Sequence, residues 1–327
     1  MKFMRGFYKS MILGLVCLGL GIFLSGCERE ETSIDEWMQS DGKMRVLSTT
    51  AIIDDMVKKI GQERIAHLPL IRGDIDPHSY ELVKGDDEKI SRATLIFCHG
   101  LGLEHGASLR AKLQGREGVT YLGDEVKAKN PDAILIRQGQ TDPHIWMDVL
   151  LWAQVIDPIV CQLSRVDPEG ASFYRQNGDR LKEEMAQFHE QILTQISQVP
   201  IHKRFLVTSH DAFNYFTKRY LSEGERAWDV RFKAPEGLAP DGQLSCSDIQ
   251  QIVDHLHAYQ IKVVFPESNV SKDSLRKIVS ACTEKGLSIK IAEGHLHADA
   301  LGPPGSDADT YLKMMQHNVS LLINEWK

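Results

Sequence analysis

The 327-residue chain is 42% hydrophobic and 25% charged, an ordinary globular balance with length enough for two domains. A net charge of −7 argues against nucleic acid or an anionic membrane surface as ligand. Six cysteines without a CxxC pair form no dense disulfide framework and suggest no structural zinc site.

The chain opens with Lys2, Arg5 and Lys9, followed by an apolar run from Met11 to Leu24. That run is short for a membrane span, which needs about 20 residues. It ends in Leu24-Ser25-Gly26-Cys27, the pattern of a bacterial lipobox. Residues 1–26 therefore read as a lipoprotein signal peptide and Cys27 as the lipidated first residue of the mature chain. Loss of the signal removes three cations and takes the charge from −7 to −10. The polar, acidic stretch to residue 43 reads as a flexible tether.

Beyond it, strand-like and helix-like segments alternate. Met44–Thr49 reads as a strand, Ala51–Ile60 as a helix and Ile65–Ile71 as a strand. Ala93–Cys98 is a strand, Glu104–Leu113 a helix and Val119–Leu122 a short strand, with a long loop expected over 123–141 and helical spacing from Trp146 to Val166. Pro168 begins an uninterrupted helical pattern to Ser197, long enough for a rigid strut; Pro200 closes it. Alternation then resumes. Arg204–Thr208, Trp228–Phe232, Lys262–Pro266 and Ser288–Ala292 read as strands, and Ala212–Tyr220, Ser245–Ala258, Lys272–Lys285 and Ala308–Asn324 as helices. The expected fold is α/β: lobes 44–166 and 201–327, each with a mostly parallel sheet, joined by a helix within 167–200.

Asp-Pro-His occurs twice, at Asp76-Pro77-His78 and Asp142-Pro143-His144. Each proline biases its aspartate towards an extended conformation, so each histidine stands where an extended segment ends and a new element begins. In open α/β sheets ligands bind beyond the carboxyl ends of the strands. His78, His210 and Asp299 follow predicted strands, and His144 ends the long loop. Three imidazoles and a carboxylate suit zinc, manganese or iron(II). Asp76, Asp142 and Asp148 are candidates to accept from ring N–H groups or to cap the following helices. Most of the 13 histidines must be ordinary surface residues. His295 and His297 straddle Leu296 and could compete with Asp299; His99 and His105 could form an accessory pair but read more readily as surface. His255 and His257, two apart on a predicted helix, point to different sides.

The segments DPHSYELVKGD, LIFCHGLGLEH, DPHIWMD, LVTSHDAFNYF, APEGLAPDGQLS, VVFPESNVS and DALGPPGSDADTYLKMMQHNV resemble the substrate-binding lipoproteins that feed manganese, zinc or iron to ABC importers, the ZnuA/TroA-like group. The resemblance runs from Met44 to Lys327, and DPHSYE, GLGLEH and QHNV are shared with its chlamydial iron-binding branch. It implies two lobes joined by one rigid helix and a metal held in the cleft by His78, His144, His210 and Asp299. It also implies an extracytoplasmic, lipid-anchored monomer that works with a permease and an ATPase. The segment 123–141 lacks the histidines common in zinc importers, and His99 stands where asparagine is usual. The expected function is capture and delivery of a divalent ion, without catalysis. The alternatives are an exported metallohydrolase with Glu267 or Glu236 as base, and an adhesin with a structural metal.

Overall fold

The computed structural model describes residues 34–40, 42–224, 228–240 and 244–327. The expected signal peptide and Cys27 lie outside the described residues.

The first lobe is built on short runs whose side chains are buried on both faces, as a covered parallel sheet demands. β1 (Met44–Ser48), β2 (Ile65–Pro69), β3 (Leu95–Cys98) and β4 (Val119–Tyr121) form one sheet in the order β2–β1–β3–β4. All its neighbours are parallel, with Val46 opposite both His67 and Leu95. Residues 136–137 and 140–141 form a small antiparallel ribbon, β5 and β6. In the second lobe β7 (Leu206–Val207) pairs with β8 (Phe232–Lys233), and β9 (Val263–Val264) with β10 (Lys290–Ile291), both parallel. The Phe265 N–H donates to Val207 O at 2.8 Å and joins the pairs side by side. The order β8–β7–β9–β10 thus repeats that of the first lobe. In each lobe the chain reverses direction across the sheet between its first and third strands, the place where a ligand crevice forms.

The helix Ala171–Ser197 links the lobes. Its 27 residues span about 40 Å. Tyr174, Leu181, Met185, Ile192 and Ile196 recur on one buried stripe, and Gly178 lies where a Cβ would meet Val160 at 2.8 Å. One hydrophobic core runs from Val46 through this helix to Trp326, across both lobes. The lobes are also strapped by hydrogen bonds. Tyr311 N–H donates to Asp55 Oδ2 (3.1 Å), Tyr311 O–H to Trp146 O (2.7 Å), and Trp146 Nε1–H to Ala298 O (2.7 Å). Such a continuous core opposes wide opening, because parting the lobes would expose apolar surface at about 25 cal/mol per Å².

Several sequence expectations change. The strand expected at Trp228–Phe232 is a 3₁₀ turn over Asp229–Arg231, and only Phe232 of it lies in β8. The long loop holds a helix, Leu122–Lys129, a 3₁₀ turn at Pro131–Ala133 and the β5–β6 ribbon. A helix at Asp86–Arg92 was not expected. The tether is not free along its length: Ile34–Met38 is helical, and Trp37 is fully buried with Nε1–H donating to Ala66 O at 3.0 Å. Trp37→Phe keeps an aromatic ring but leaves that carbonyl without its donor. The expected cost is about 1–3 kcal/mol, read as a lower urea midpoint. An unchanged midpoint would mean that this segment is not docked in solution.

Candidate metal centre

The geometry follows from where the strands end. His78 lies in the loop after β2, His144 beyond β6, His210 three residues after β7, and Asp299 in the loop after β10. Each of the four is at most 3% exposed. One ligand atom from each can be chosen so that all lie within 4.8 Å of one another. Asp299 is the hub: its carboxylate oxygens lie 3.3 Å from His210 Nε2, 3.5 Å from His144 Nε2 and 4.0 Å from His78 Nε2. None of these contacts has hydrogen-bond geometry, and the one from His210 is an ion pair while that ring carries a proton. The three Nε2 atoms and Asp299 Oδ1 are shielded from water and lack partners. Buried polar atoms are nearly always satisfied, so four orphans facing one another call for a cation between them. Metal–ligand distances of about 2.0–2.2 Å require only a small contraction of this cluster.

Two histidines are aimed by carboxylates. His144 Nδ1 lies 2.8 Å from Asp142 Oδ1, which fixes Nδ1–H as donor and leaves Nε2 facing Asp299. Asp142 is itself held by Asn214 Nδ2–H at 2.9 Å. His210 Nδ1 lies 2.5 Å from Glu267 Oε2, while Glu267 Oε1 accepts from the Ser209 and His210 N–H groups. Such partners set the tautomer and the ring orientation of a ligand. Asn269 Nδ2–H donates to Asp299 Oδ2 at 3.1 Å.

The electrostatics are uneven. Burial pushes His78 well below the ordinary histidine value, so its ring is neutral. Burial acts the same way on His210, but Glu267 and Asp299 outweigh it and raise that ring well above 6.5. Burial alone would raise Asp299; the three histidines, His210 foremost, hold it far below the usual carboxylate range.

Of the three aspartates expected to support the ligands, only Asp142 contacts a ligand ring. Asp76 accepts from the His78 N–H and from Ser79 Oγ–H, closing the turn. Asp148 caps the helix Val149–Trp152 and pairs with Arg219 Nε at 2.7 Å, which ties the lobes together. His99 is not a surface residue. It is buried between Trp146 and Trp152 and donates from Nε2 to Pro143 O at 2.6 Å, bracing the second Asp-Pro-His. Glu267 as an orienting group escaped the sequence reading; the available signal was an acid directly after a predicted strand. Asp142→Asn would set an amide N–H₂ against either the His144 Nδ1–H or the Asn214 N–H₂. Metal affinity is expected to fall about 10–100-fold in a chelator competition, and an unchanged affinity would remove Asp142 from this role.

A cavity of about 940 Å³ leads to the cluster, lined by His78, His105, Arg110 and Lys127 from the first lobe and Leu238 and Ala239 from the second. Of the four residues only His78 lines it, so the cluster meets this cavity through that ring.

A water-shielded set of three histidines and a carboxylate, shared by two α/β lobes on one rigid helix, defines a class: the metal-binding substrate-binding proteins of ABC importers. The chain belongs to the family described as zinc-uptake complex component A, periplasmic, whose profile matches residues 46–325. It is 38% identical to the metal-binding protein YtgA of Chlamydia muridarum over 324 residues, covering 97% of this chain and 95% of that protein. It is 32% identical to the manganese-binding lipoprotein MntA of Bacillus subtilis, over 93% of this chain and 95% of that one. The crystal structure of Fe(III)-bound YtgA from Chlamydia trachomatis superposes with a TM-score of 0.81 at 38% identity, covering 87% of this chain and 98% of that one.

Proposed function

We propose that this protein captures one iron, manganese or zinc ion on His78, His144, His210 and Asp299 and hands it to an ABC permease and its ATPase. The observation that carries this reading is the convergence of four buried side chains, each with one ligand atom within 4.8 Å of the others, three of them histidines whose Nε2 atoms are shielded from water and without a hydrogen-bond partner. Four protein donors saturate a tetrahedral ion, whereas a catalytic zinc keeps three and an open position. That favours capture over turnover. The hydrolase alternative also loses one of its bases, because Glu267 already accepts from the Ser209 and His210 N–H groups and faces the His210 ring. A relative solved with Fe(III) bound widens the ions to be considered beyond divalent ones.

His210 is the entry step. Its proton must leave before Nε2 can donate, and Nδ1–H then remains with Glu267. The ion replaces that proton as the charge that balances Asp299. The lipobox at Leu24–Cys27 supports lipid anchoring through Cys27 and an extracytoplasmic, membrane-tethered protein. Metal analysis of protein isolated from its native envelope tests the cargo: one equivalent of iron, manganese or zinc per chain is expected. Metal-free protein that fails to take up any of the three would refute the reading.

A further inference from the structure

The four ligand side chains are not equally held. His144 is fixed by Asp142 at Nδ1 and by the Trp146 ring, 5.2 Å away and edge-on. His210 is fixed by Glu267, whose other oxygen accepts from two backbone N–H groups. Asp299 is held by Asn269. His78 has no such partner. Its Nε2 is the furthest of the three from Asp299, at 4.0 Å against 3.3 and 3.5 Å, and lacks a hydrogen bond. Among the described residues no other carboxylate stands at its ring. It is also the one ligand that lines the cavity of about 940 Å³.

The freedom of His78 lies in its side chain, not in the loop that carries it. The His78 N–H donates to Asp76 Oδ1 at 2.9 Å, and the His78 carbonyl accepts from the His105 N–H at 3.3 Å. Glu81 pins the same loop to the helix Ala107–Leu113, accepting from the Ala107 and Ser108 N–H groups at 2.7 and 2.8 Å. A Cβ added at Gly106 would run into Tyr80 O, so the two segments are in direct backbone contact. A fixed backbone beside open space leaves one easy motion, rotation of the imidazole to another staggered position. The same rotation of His144 or His210 would break a bond to a buried carboxylate, and a buried charge left without its partner is costly.

An ion held by four side chains changes hands by losing them one at a time. The ligand with the fewest other bonds leaves first and, by microscopic reversibility, binds last during capture. We propose that His78 is the gate ligand of this centre: the ion enters and leaves through the cavity on the His78 side, with His78 the last side chain to bind and the first to let go. When it swings aside, His144, His210 and Asp299 retain the ion. The fourth position then opens towards the cavity for a small nitrogen or oxygen donor. The proposal rests on the cargo reading and adds to it the route and the order of exchange.

Chemical rescue of the full chain tests it, with free imidazole as the probe and Zn²⁺ as the ion. His78→Gly, His144→Gly and His210→Gly should each weaken Zn²⁺ binding more than about tenfold in chelator competition, with melting of the metal-free variants as the folding control. Imidazole should recover most of the loss in His78→Gly, because the cavity admits it to the position of the missing ring. It should recover little in the other two, whose positions are sealed. Co²⁺-loaded His78→Gly should regain the absorption bands of the unaltered protein on the same addition. No recovery in His78→Gly, or equal recovery in His144→Gly or His210→Gly, overturns the proposal. Undiminished Zn²⁺ binding in all three would instead sink the cargo assignment, and this proposal with it. Ala239→Trp, on the cavity wall supplied by the second lobe, tests the route without touching a ligand. It should slow capture and chelator-driven release by one common factor and leave Kd unchanged; unaltered rates would overturn the route.

Discussion

Asp299→Asn is expected to weaken metal binding by more than about hundredfold, beyond the 10–100-fold typical of residues that merely orient a ligand. The substitution keeps the size of the side chain and an oxygen to accept from Asn269. What it removes is the only ligand charge. Asp299 faces all three histidines at 3.3–4.0 Å. Without it a divalent ion would sit among neutral rings with nothing to offset its charge in a site closed to water, where an uncompensated charge is most costly. The metal-free fold should survive, because His210 keeps Glu267 as its counter-ion. Competition against a chelator of known affinity, with melting of the metal-free variant as control, reads both effects. A loss under about tenfold with an intact fold would remove Asp299 from the ligand set.

How much of this was legible in the sequence depended on how local the cause was. The two Asp-Pro-His turns are local: each aspartate accepts from the N–H two residues on, at 2.9 and 3.0 Å. Their different fates are almost local. Ser79 supplies a hydroxyl that takes the second oxygen of Asp76. Ile145, at the matching position, supplies none, and Asp142 turns instead to the His144 ring and Asn214. Glu267 was opaque because its partner lies 57 residues away and meets it only through the pairing of β7 with β9. The same holds for Asn318, which accepts from the His297 N–H 21 residues away.

Elements were legible in proportion to their buried apolar side chains. The linking helix buries a repeating stripe over 27 residues and was recognisable. Leu122–Lys129 buries only Leu122, Gly123 and Val126, and Asp86–Arg92 only Asp86 and Ile90. Neither offers two turns of apolar spacing, so both looked like loop. The predicted strand at Arg204–Thr208 shrinks to Leu206–Val207, since Arg204 folds back to donate to the Val199 and Ser197 carbonyls. The tether was misread because a lone tryptophan in an acidic stretch carries no periodicity; its burial depends on a distant strand.

The pH dependence of capture is expected to start higher than unperturbed histidines would set it. Glu267 and Asp299 raise His210 well above 6.5 in the metal-free protein. A ring so held keeps its proton near neutrality, and the ion must displace it. Apparent affinity should therefore fall about tenfold per pH unit as pH drops below that raised value, one proton being released per ion bound. Stability of the metal-free form has the opposite sign for this group. The raised value adds stability that is fully present below 6.5 and lost as pH rises through the folded-state value. His99, His255 and His297 oppose it. Burial holds them down to about 3, 4 and 4, so they destabilise the fold progressively as pH falls below 6.5. The binding slope is the cleaner readout, because those three have no direct part in the ion exchange. Glu267→Gln removes one of the two charges that hold the proton and should shift the binding profile to lower pH. It should also cost about tenfold or more in affinity at high pH, where only ring orientation matters. Chelator competition from about pH 5.5 to 8.5 on both proteins measures this. Affinity that stays flat down to about pH 6.5, or superimposable profiles for the two proteins, would show that Glu267 does not hold His210 protonated and that the ion meets a neutral ring.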